Sequence, residues 1–152
     1  MNLKIKKFYE LNIDELYEIL RVRNEVFTVE QKCRYLDCDG KDQNSYHLFY
    51  EKNDKIIAYL RILEKGVSFE EIGIGRVAVD AEFRRRGLAR DIMSAAVSFI
   101  KNDLKEHEIK LQAQTYLIDF YKSLGFEKVS EIYQEAGIPH VDMLYHRKKG
   151  EK

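Results

Sequence analysis

Two periodicities of apolar residues predict the helices and strands of this chain. Segments in which apolar and polar residues alternate, or which are dense in β-branched and aromatic residues, are typical of strands. Segments with apolar residues three and four positions apart are typical of amphipathic helices. The predicted strands are 2–8, 46–50, 55–63, 72–79, 109–114, 126–133 and 141–146, and the predicted helices are 12–26, 87–101 and 116–124.

Each predicted helix carries one apolar face that we expect to be buried. Asn12 and Glu15 have the spacing of a capping box at the start of the first helix. Gly125 follows the third helix as a typical helix-ending residue. The expected buried faces are Ile13, Leu16, Ile19, Leu20, Val26 and Phe27 in the first helix, Leu88, Ile92, Met93, Ala95, Ala96, Phe99 and Ile100 in the second, and Leu117, Phe120, Tyr121 and Leu124 in the third.

The order of these elements, β-α-β-β-β-α-β-α-β-β, predicts an α+β domain. Runs of consecutive strands favour a mixed, largely antiparallel sheet flanked by helices. The chain of 152 residues has no internal repeat, low-complexity tract or linker. We therefore expect one domain over residues 1–152.

Charge and hydropathy exclude several classes of function. The 26 basic and 26 acidic residues cancel, which argues against a nucleic-acid binder because such proteins carry a basic surplus. No apolar stretch approaches the roughly 20 residues that span a bilayer, and the N-terminus lacks the apolar core of a signal peptide. We expect a cytoplasmic protein without nucleic-acid or membrane partners.

The two cysteines, Cys33 and Cys38, are expected to be reduced thiols in that compartment. Asp39 and His47 follow them, but a second pair of ligands at zinc-finger spacing is missing. The sequence therefore predicts no metal. The acidic residues of the loop over 30–42 would attract a cationic acceptor or simply be solvated.

The stretch 77–90 carries the strongest chemical signal. An apolar strand ends, a short basic loop follows, and the small residues Gly87 and Ala89 open an amphipathic helix. The first N–H groups of a helix have no partner within it, and with the helix dipole they form a site for an anion such as a pyrophosphate. Small residues there let a phosphate approach the backbone.

An ordinary strand-to-helix connection with exposed arginines would show the same local pattern, since short motifs often match by chance. The loop has neither the G-x-G-x-x-G pattern of dinucleotide-binding proteins nor the G-x-x-x-x-G-K-S/T pattern of a P-loop. Its meaning therefore depends on the rest of the chain.

Arg84-x-x-Gly87-x-Ala89 resembles the Q/R-x-x-G-x-G/A signature of the GNAT superfamily of acyl-CoA-dependent N-acetyltransferases. The run 120–126, Phe-Tyr-Lys-Ser-Leu-Gly-Phe, is similar to the second motif of that superfamily, and the predicted element order matches its fold. The segments 27–42 and 135–140 resemble the ElaA-type branch. The likeness covers residues 8–143.

This resemblance implies acetyl-CoA as co-substrate and a role for each matching residue. The strand end, with Val77, Ala78 and Val79, would pair with the pantetheine arm as an added strand pairs with a sheet edge. Tyr121 matches the tyrosine that protonates the departing thiolate. Gln114 stands where the superfamily often has a cofactor-contacting Asn, which puts that contact in doubt. The backbone amides of Arg84, Arg85, Arg86, Gly87, Leu88, Ala89 and Arg90 would hold the pyrophosphate.

Acetyl transfer to an amine also needs a group that takes a proton, because an ammonium ion has no lone pair. Glu30 and His140 are the candidate bases, and a water chain is the alternative. A helix-face tyrosine such as Tyr121 is often only packed in the core. Arg76 interrupts an apolar strand and either anchors a carboxylate or lies at the sheet edge.

The sequence thus predicts a GNAT-fold N-acetyltransferase in which an amine attacks acetyl-CoA directly in a ternary complex. A non-catalytic acyl-CoA-binding or regulatory module, an interaction protein of the same fold, and an acyltransferase acting on hydroxyls remain open. The acceptor amine is not readable from the sequence. A homodimer is also left open.

Overall fold

The computed structural model describes residues 2–32 and 34–146, which contain eight strands and three α-helices. Short 3-10 turns and one π-helical segment connect several of them. The strands are β1 Asn2–Lys7, β2 Ser45–Lys52, β3 Lys55–Leu63, β4 Ile72–Val79, β5 Glu108–Gln114, β6 Phe126–Lys128, β7 Tyr133–Glu135 and β8 Ile138–His146. The α-helices are α1 Ile13–Arg23, α2 Leu88–Asn102 and α3 Ile118–Ser123.

All eight strands form one sheet in the order β1-β2-β3-β4-β5-β8-β6, and β7 pairs with the first part of β8. Every neighbouring pair is antiparallel except β4 and β5, which are parallel. The predicted mixed, mostly antiparallel sheet with flanking helices is confirmed.

The two faces of the sheet bury cores of different size. On one face, α2 and α3 pack on the central strands, and buried residues such as Ile92, Met93 and Leu111 form the larger core. On the other face, α1 covers β2 and β3 through a small cluster that includes Ile19 and Phe49. Since no buried cluster of the described residues extends this second core over β5 and β8, their polar face on that side is available for a binding site.

The first helix differs from its prediction in both its end and its buried face. The α-helix stops at Arg23, and residues Asn24–Glu30 continue it as π-helix. The predicted capping box between Asn12 and Glu15 is confirmed. Ile13, expected to be buried, is 86% exposed. The helix instead buries Glu15, whose carboxylate accepts hydrogen bonds from two lysines of β1 and so fixes the rotation of the helix.

The other two helices follow their predictions more closely. In α2 the predicted face is buried, with Ala95 and Phe99 only partly covered. The third helix is shorter than expected, because residues Thr115–Leu117 form a 3-10 turn before α3 begins. Within its predicted face, Tyr121 is buried and the other members are partly buried.

The predicted strand over 126–133 is wrong. It divides into β6 and β7, and β8 begins at Ile138 rather than at residue 141. A side-chain hydrogen bond occurs at this break. The Ser130 hydroxyl accepts a hydrogen bond from the Asp142 N–H, which in a continuous ladder would pair with a backbone carbonyl. Ala136 and Gly137 then both take positive φ and make the tight turn that starts a β7–β8 hairpin.

Candidate active site

The parallel strands β4 and β5 separate soon after they begin to pair. Their ladder contains only the pairs Ile72↔Ile109 and Gly73↔Lys110, although β4 continues to Val79. Beyond Gly73, the edge of β4 that faces β5 has no strand partner. A V-shaped opening therefore lies in the middle of the sheet, and its walls offer backbone N–H and C=O groups to a ligand.

A β-bulge in β4 accompanies this separation. On β3, Tyr59 and Arg61 lie two residues apart, whereas their partners Ala78 and Gly75 on β4 lie three apart. Arg76, inside the bulge, takes a positive φ of 53°. An extra residue bends a strand and increases its twist, so the bulge turns the second half of β4 away from β5.

The opening continues into a cleft of about 890 Å³. Nearly all of the site residues that were predicted from the sequence line this cleft. Glu30, Gln114, Tyr121 and His140 line it, as do the end of β4 and the start of α2. Arg86 is the exception among the nominated residues, because its guanidinium lies over the Phe83 ring, 5.2 Å from the centroid.

The loop between β4 and α2 exposes backbone groups to this cleft. A 3-10 turn, Ala81–Phe83, leads to Arg85, which has a φ of 64°, and to Gly87, which caps α2 with a φ of 76°. A Cβ added at Gly87 would meet nothing within 4 Å. The first intrahelical bond of α2 runs from Asp91 to Gly87. The preceding N–H groups of the helix therefore remain available to an anion.

A bidentate ion pair crosses the cleft mouth beside this loop. The Arg84 guanidinium donates to both carboxylate oxygens of Glu30 at 2.7 and 2.8 Å, and its Nε donates to the Val79 carbonyl at 3.1 Å. The hydrogen bond from Arg84 lowers the pKa of Glu30. A carboxylate with a lowered pKa is a weaker base, so this pairing disfavours Glu30 as the group that deprotonates an amine.

Tyr121 lies at the inner end of the cleft, on α3. Its ring packs edge-on against Phe120 and Phe126, with centroids 5.2 and 6.1 Å away. Burial raises the pKa of its phenol to about 12. The side chain is thus held firmly and keeps its proton at neutral pH, as a proton donor must.

His140 faces the same cleft from β8. Its Nδ1 lies 2.7 Å from the Ile138 carbonyl oxygen. Since a carbonyl only accepts, Nδ1 must carry the proton, and the lone pair of the neutral ring lies on Nε2. The Tyr133 ring stacks on the imidazole at a centroid distance of 6.2 Å, and the Tyr133 hydroxyl is fixed by Asp142. The orientation of His140 is therefore set by its neighbours.

Gln114 ends β5 at the floor of the cleft, opposite His140 in the ladder. Its Nε2 donates to Gln31 Oε1 at 3.4 Å, a long and weak hydrogen bond. The amide is therefore only loosely held and can turn toward a ligand.

Three arginines and three aspartates form a cluster under the loop after the π-helical segment. Sequence reasoning named the anchoring of a carboxylate as one role of Arg76, but it missed the rest of the cluster. Arg23 is fully buried and bonds Asp42 at 2.8 Å. Arg61 is almost fully buried and bonds Asp42 at 2.9 Å. The Asp39 carboxylate accepts a hydrogen bond from Arg61, and the Asp37 carboxylate accepts one from Arg76 and forms an ion pair with Arg23. The charges of these loop aspartates are thus compensated by arginines, although Asp39 remains exposed to solvent.

Burial alone would raise the pKa of Asp42, but the charges of Arg23 and Arg61 outweigh it and lower that pKa. His47 joins the cluster through its Nε2, 2.9 Å from the Asp42 carbonyl oxygen, and through Nδ1, 2.7 Å from the Tyr59 hydroxyl. The signal for this cluster was the presence of His47 and Arg61 inside strongly apolar strands. A charged residue in a buried strand needs a partner.

The described residues bear on the predictions about metals and membranes. Residues 2–32 and 34–146 contain no group of three or more His, Cys, Asp or Glu side chains placed to hold a metal. Cys38 is an exposed thiol, and Cys33 lies outside the described residues. In the same ranges, no helix combines the length and apolar character needed to cross a bilayer.

Comparison with known proteins agrees with this geometry. The model of the acetyltransferase (GNAT) domain matches residues 17–146. This chain belongs to the GNAT acetyltransferase family. Protein ElaA of Escherichia coli is 39% identical over 136 residues, which cover 88% of this chain and 89% of ElaA. A UPF0039 protein of Synechocystis is 34% identical over 146 residues, 95% of each chain.

Solved structures of GNAT relatives share the whole architecture. An acyl-CoA N-acyltransferase from Pseudomonas aeruginosa superposes with a TM-score of 0.89 at 34% identity, covering 95% of this chain and 99% of its own. The E. coli ElaA structure gives the same TM-score and coverage at 35% identity. The chain therefore has the fold of the acyl-CoA N-acyltransferases, and the ElaA-like resemblance is confirmed.

Proposed function

We propose that this protein is an N-acetyltransferase that uses acetyl-CoA to acetylate an amine by direct attack in a ternary complex. The observation that carries the proposal is the opening between β4 and β5, which ends at the exposed N-terminus of α2. An extended pantetheine arm fits the unpaired edge of β4, and a pyrophosphate fits the open space at Gly87.

Different residues of the chain bind different parts of the co-substrate. Backbone groups of Val77 and Val79 pair with the amides of the pantetheine arm. The N–H groups from Arg84 to Arg90 hold the pyrophosphate, and Gln114 turns to contact the arm. Arg84 must release the Val79 carbonyl for this pairing. The cost is small, because this hydrogen bond is exposed and a typical protein hydrogen bond contributes only about 0.5–1.5 kcal/mol.

Two side chains carry the proton transfers. The Nε2 lone pair of His140 takes a proton from the ammonium form of the acceptor, and the lone pair of the resulting neutral amine bonds to the thioester carbon. When the tetrahedral intermediate collapses, the carbon–sulfur bond breaks and the Tyr121 phenol gives its proton to the thiolate. The second proton of the attacking nitrogen then returns to the Tyr121 phenolate, and His140 releases its proton to solvent. The products are the acetylated amine and CoA. All of these residues lie in one chain, so the mechanism does not depend on a homodimer, which stays a prediction.

Acetyl-CoA should therefore stabilise the fold. At about 100 times its dissociation constant, a ligand adds roughly 2.7 kcal/mol to the free energy of unfolding. For a chain of this size, that raises the melting temperature by roughly 5–10 °C. Gly87→Glu should abolish the shift, because it puts bulk and negative charge where the phosphates lie. Differential scanning fluorimetry and calorimetry measure both effects.

Gly66 offers a matched control for this experiment. Like Gly87 it has a positive φ, 85°, and open space around its Cα, but it lies between β3 and β4 and does not itself line the cleft. Gly66→Glu should lower stability comparably and keep the acetyl-CoA shift. No shift in the parent protein would refute the co-substrate assignment. A normal shift without CoA release across a broad amine library would instead identify a non-catalytic acyl-CoA-binding module.

A further inference from the structure

One cation in the cleft has a role that acetyl-CoA binding does not explain. Arg76 follows the split in β4, immediately before the residues proposed to pair with pantetheine. Its Nε donates to Asp37 Oδ1 at 2.9 Å, and its guanidinium lies over the Phe27 ring, 5.8 Å from the centroid. A short charge-assisted bond and a ring face hold the group in one orientation.

The outer edge of that guanidinium is nearly unused. Nη2 makes only long contacts, 3.4 Å to the Asp37 carbonyl and 3.5 Å to Asp39 Oδ2. Nη1 has no hydrogen-bond partner in the described parts of the chain, and the side chain is 30% exposed in the cleft. The Nη1–Nη2 edge is the fork that binds a carboxylate with two parallel hydrogen bonds.

The carboxylates around Arg76 do not form a binding site for a cationic group of the acceptor. Asp37 and Asp39 are each bonded to two arginines of the cluster, and their charges are compensated. The interaction with Arg61 outweighs burial and lowers the pKa of Asp39 well below its usual range. The open hydrogen-bonding capacity on this wall therefore consists of donors, and it selects an anion.

Apolar side chains border the same part of the cleft. Tyr35 and Leu36 line it while remaining 67% and 81% exposed. They lie on the loop whose aspartates pair with the arginine cluster, and Arg23 also donates to the Asp37 carbonyl at 3.0 Å, so the backbone beside them is anchored. Phe27 and Phe69 line the cleft nearby. A small-molecule site typically combines such an apolar wall with a few fixed polar groups.

We propose that the acceptor is a free α-amino acid with an apolar or aromatic side chain, whose carboxylate binds the outer edge of Arg76. This inference rests on the proposed function and names its substrate class. Arg76 is next to Val77, where the arm that carries the thioester pairs. An acceptor whose carboxylate binds Arg76 must therefore have its attacking amine close to that carboxylate. An α-amino acid does so, and its side chain packs on Phe27, Tyr35 and Leu36.

The test compares acceptors that differ only in the carboxylate. We expect kcat/KM for phenylalanine to exceed that for 2-phenylethylamine by roughly 10- to 100-fold, the range of a charge-assisted hydrogen-bond pair. Leucine and 3-methylbutylamine form a second pair. Arg76→Gln should remove most of this preference by lowering turnover of the amino acids, with the amines little changed. Lys41→Gln, which removes another cation lining the cleft, should keep the preference.

The outcomes separate the two proposals. Equal turnover of phenylalanine and 2-phenylethylamine would overturn the acceptor assignment and leave the acetyltransferase proposal standing. Equal losses for both acceptors in Arg76→Gln would show that Arg76 only supports the loop, and would also overturn it. Turnover of neither acceptor would refute apolar amino acids as substrates, and the acetyl-CoA stability shift would then tell whether the protein still binds its co-substrate.

Discussion

Tyr121 has an environment that suits a proton donor better than a packing residue. Its ring is buried between two other aromatic rings, while the residue still lines the cleft. Burial raises the pKa of its phenol to about 12, so the proton is present across the neutral pH range. A purely structural tyrosine would need no access to the cleft.

Tyr121→Phe keeps the ring and removes only the hydroxyl. We expect kcat to fall by about 10²–10⁴, the usual effect of losing a general acid. The acetyl-CoA stability shift and the melting temperature should change little, because the packing is unchanged. Steady-state kinetics with a pre-steady-state check that chemistry limits turnover would measure this. Full kcat under those conditions would rule out Tyr121 as the acid.

The two candidate bases differ in what their neighbours do to them. Glu30 is held as a carboxylate by Arg84, whereas His140 has a fixed tautomer with its lone pair on Nε2. His140→Gln should therefore flatten the acidic limb of the pH–rate profile, and raising the pH should partly restore activity. Glu30→Gln is the matched variant and should leave that limb in place. If neither substitution alters the limb, a water chain accepts the proton.

Residues that act through local backbone geometry were predictable, whereas those that act through tertiary pairing were not. Gly87 could be expected to be a small residue with open surroundings at a helix start, and the resemblance to the GNAT motif pointed to Tyr121, which lines the cleft. Arg23 and Arg61 are far apart in sequence and meet through Asp42 only in the folded chain. Sequence could show that Arg61 needs a partner in its apolar strand, but not which carboxylate supplies it.

At the level of elements, the periodicity of apolar residues predicted which segments are helices and strands. It did not predict the residues at which several of them begin or end. The π-helical turn after Arg23 has no distinct apolar period, since its residues continue the pattern of α1. β6 and β7 are each three residues long, too short for alternation to separate them. Their positions are set by pairing with β8 and by the turn at Ala136 and Gly137, which are tertiary and conformational effects.

The sequence also showed no sign of the bulge in β4, although the bulge shapes the candidate active site. The density of β-forming residues predicts a continuous strand over 72–79, and the observed strand has that length. The extra residue appears only in the register with β3. Arg76 was noted as an interruption of an apolar strand, and the bulge explains how it can point toward Asp37 without burying its charge unpaired.

Across the whole molecule, the buried ionic cluster joins parts of the chain that are distant in sequence. Arg23 comes from α1, Arg61 from β3 and Arg76 from β4, and all three bind aspartates of one loop. Three positive and three negative charges balance, as the charge of the whole chain does. Because these groups are buried or partly buried, their ionisation is coupled to folding.

The sign of this coupling follows from the directions of the pKa shifts. Burial lowers the pKa of His47 from its usual value, about 6.5. Below that pH His47 becomes protonated in the unfolded chain while it stays neutral in the folded chain. The free energy of unfolding therefore decreases as pH falls. The lowered pKa of Asp42 acts in the same direction, but only below about pH 4, where the unfolded carboxylate is protonated.

The free energy of unfolding should therefore decrease in two steps as the pH is lowered from 7 to 3. In the first step, which begins near pH 6.5 and ends at the lowered pKa of the folded state, the slope should be positive and at most about 1.4 kcal/mol per pH unit, the limit for one proton. Urea unfolding at several pH values measures it. His47→Gln should flatten this first step and keep the second, even if it lowers stability overall, and the exposed His107→Gln should keep both. An unchanged slope in His47→Gln would contradict the assignment, because the proton would then bind elsewhere in the unfolded chain.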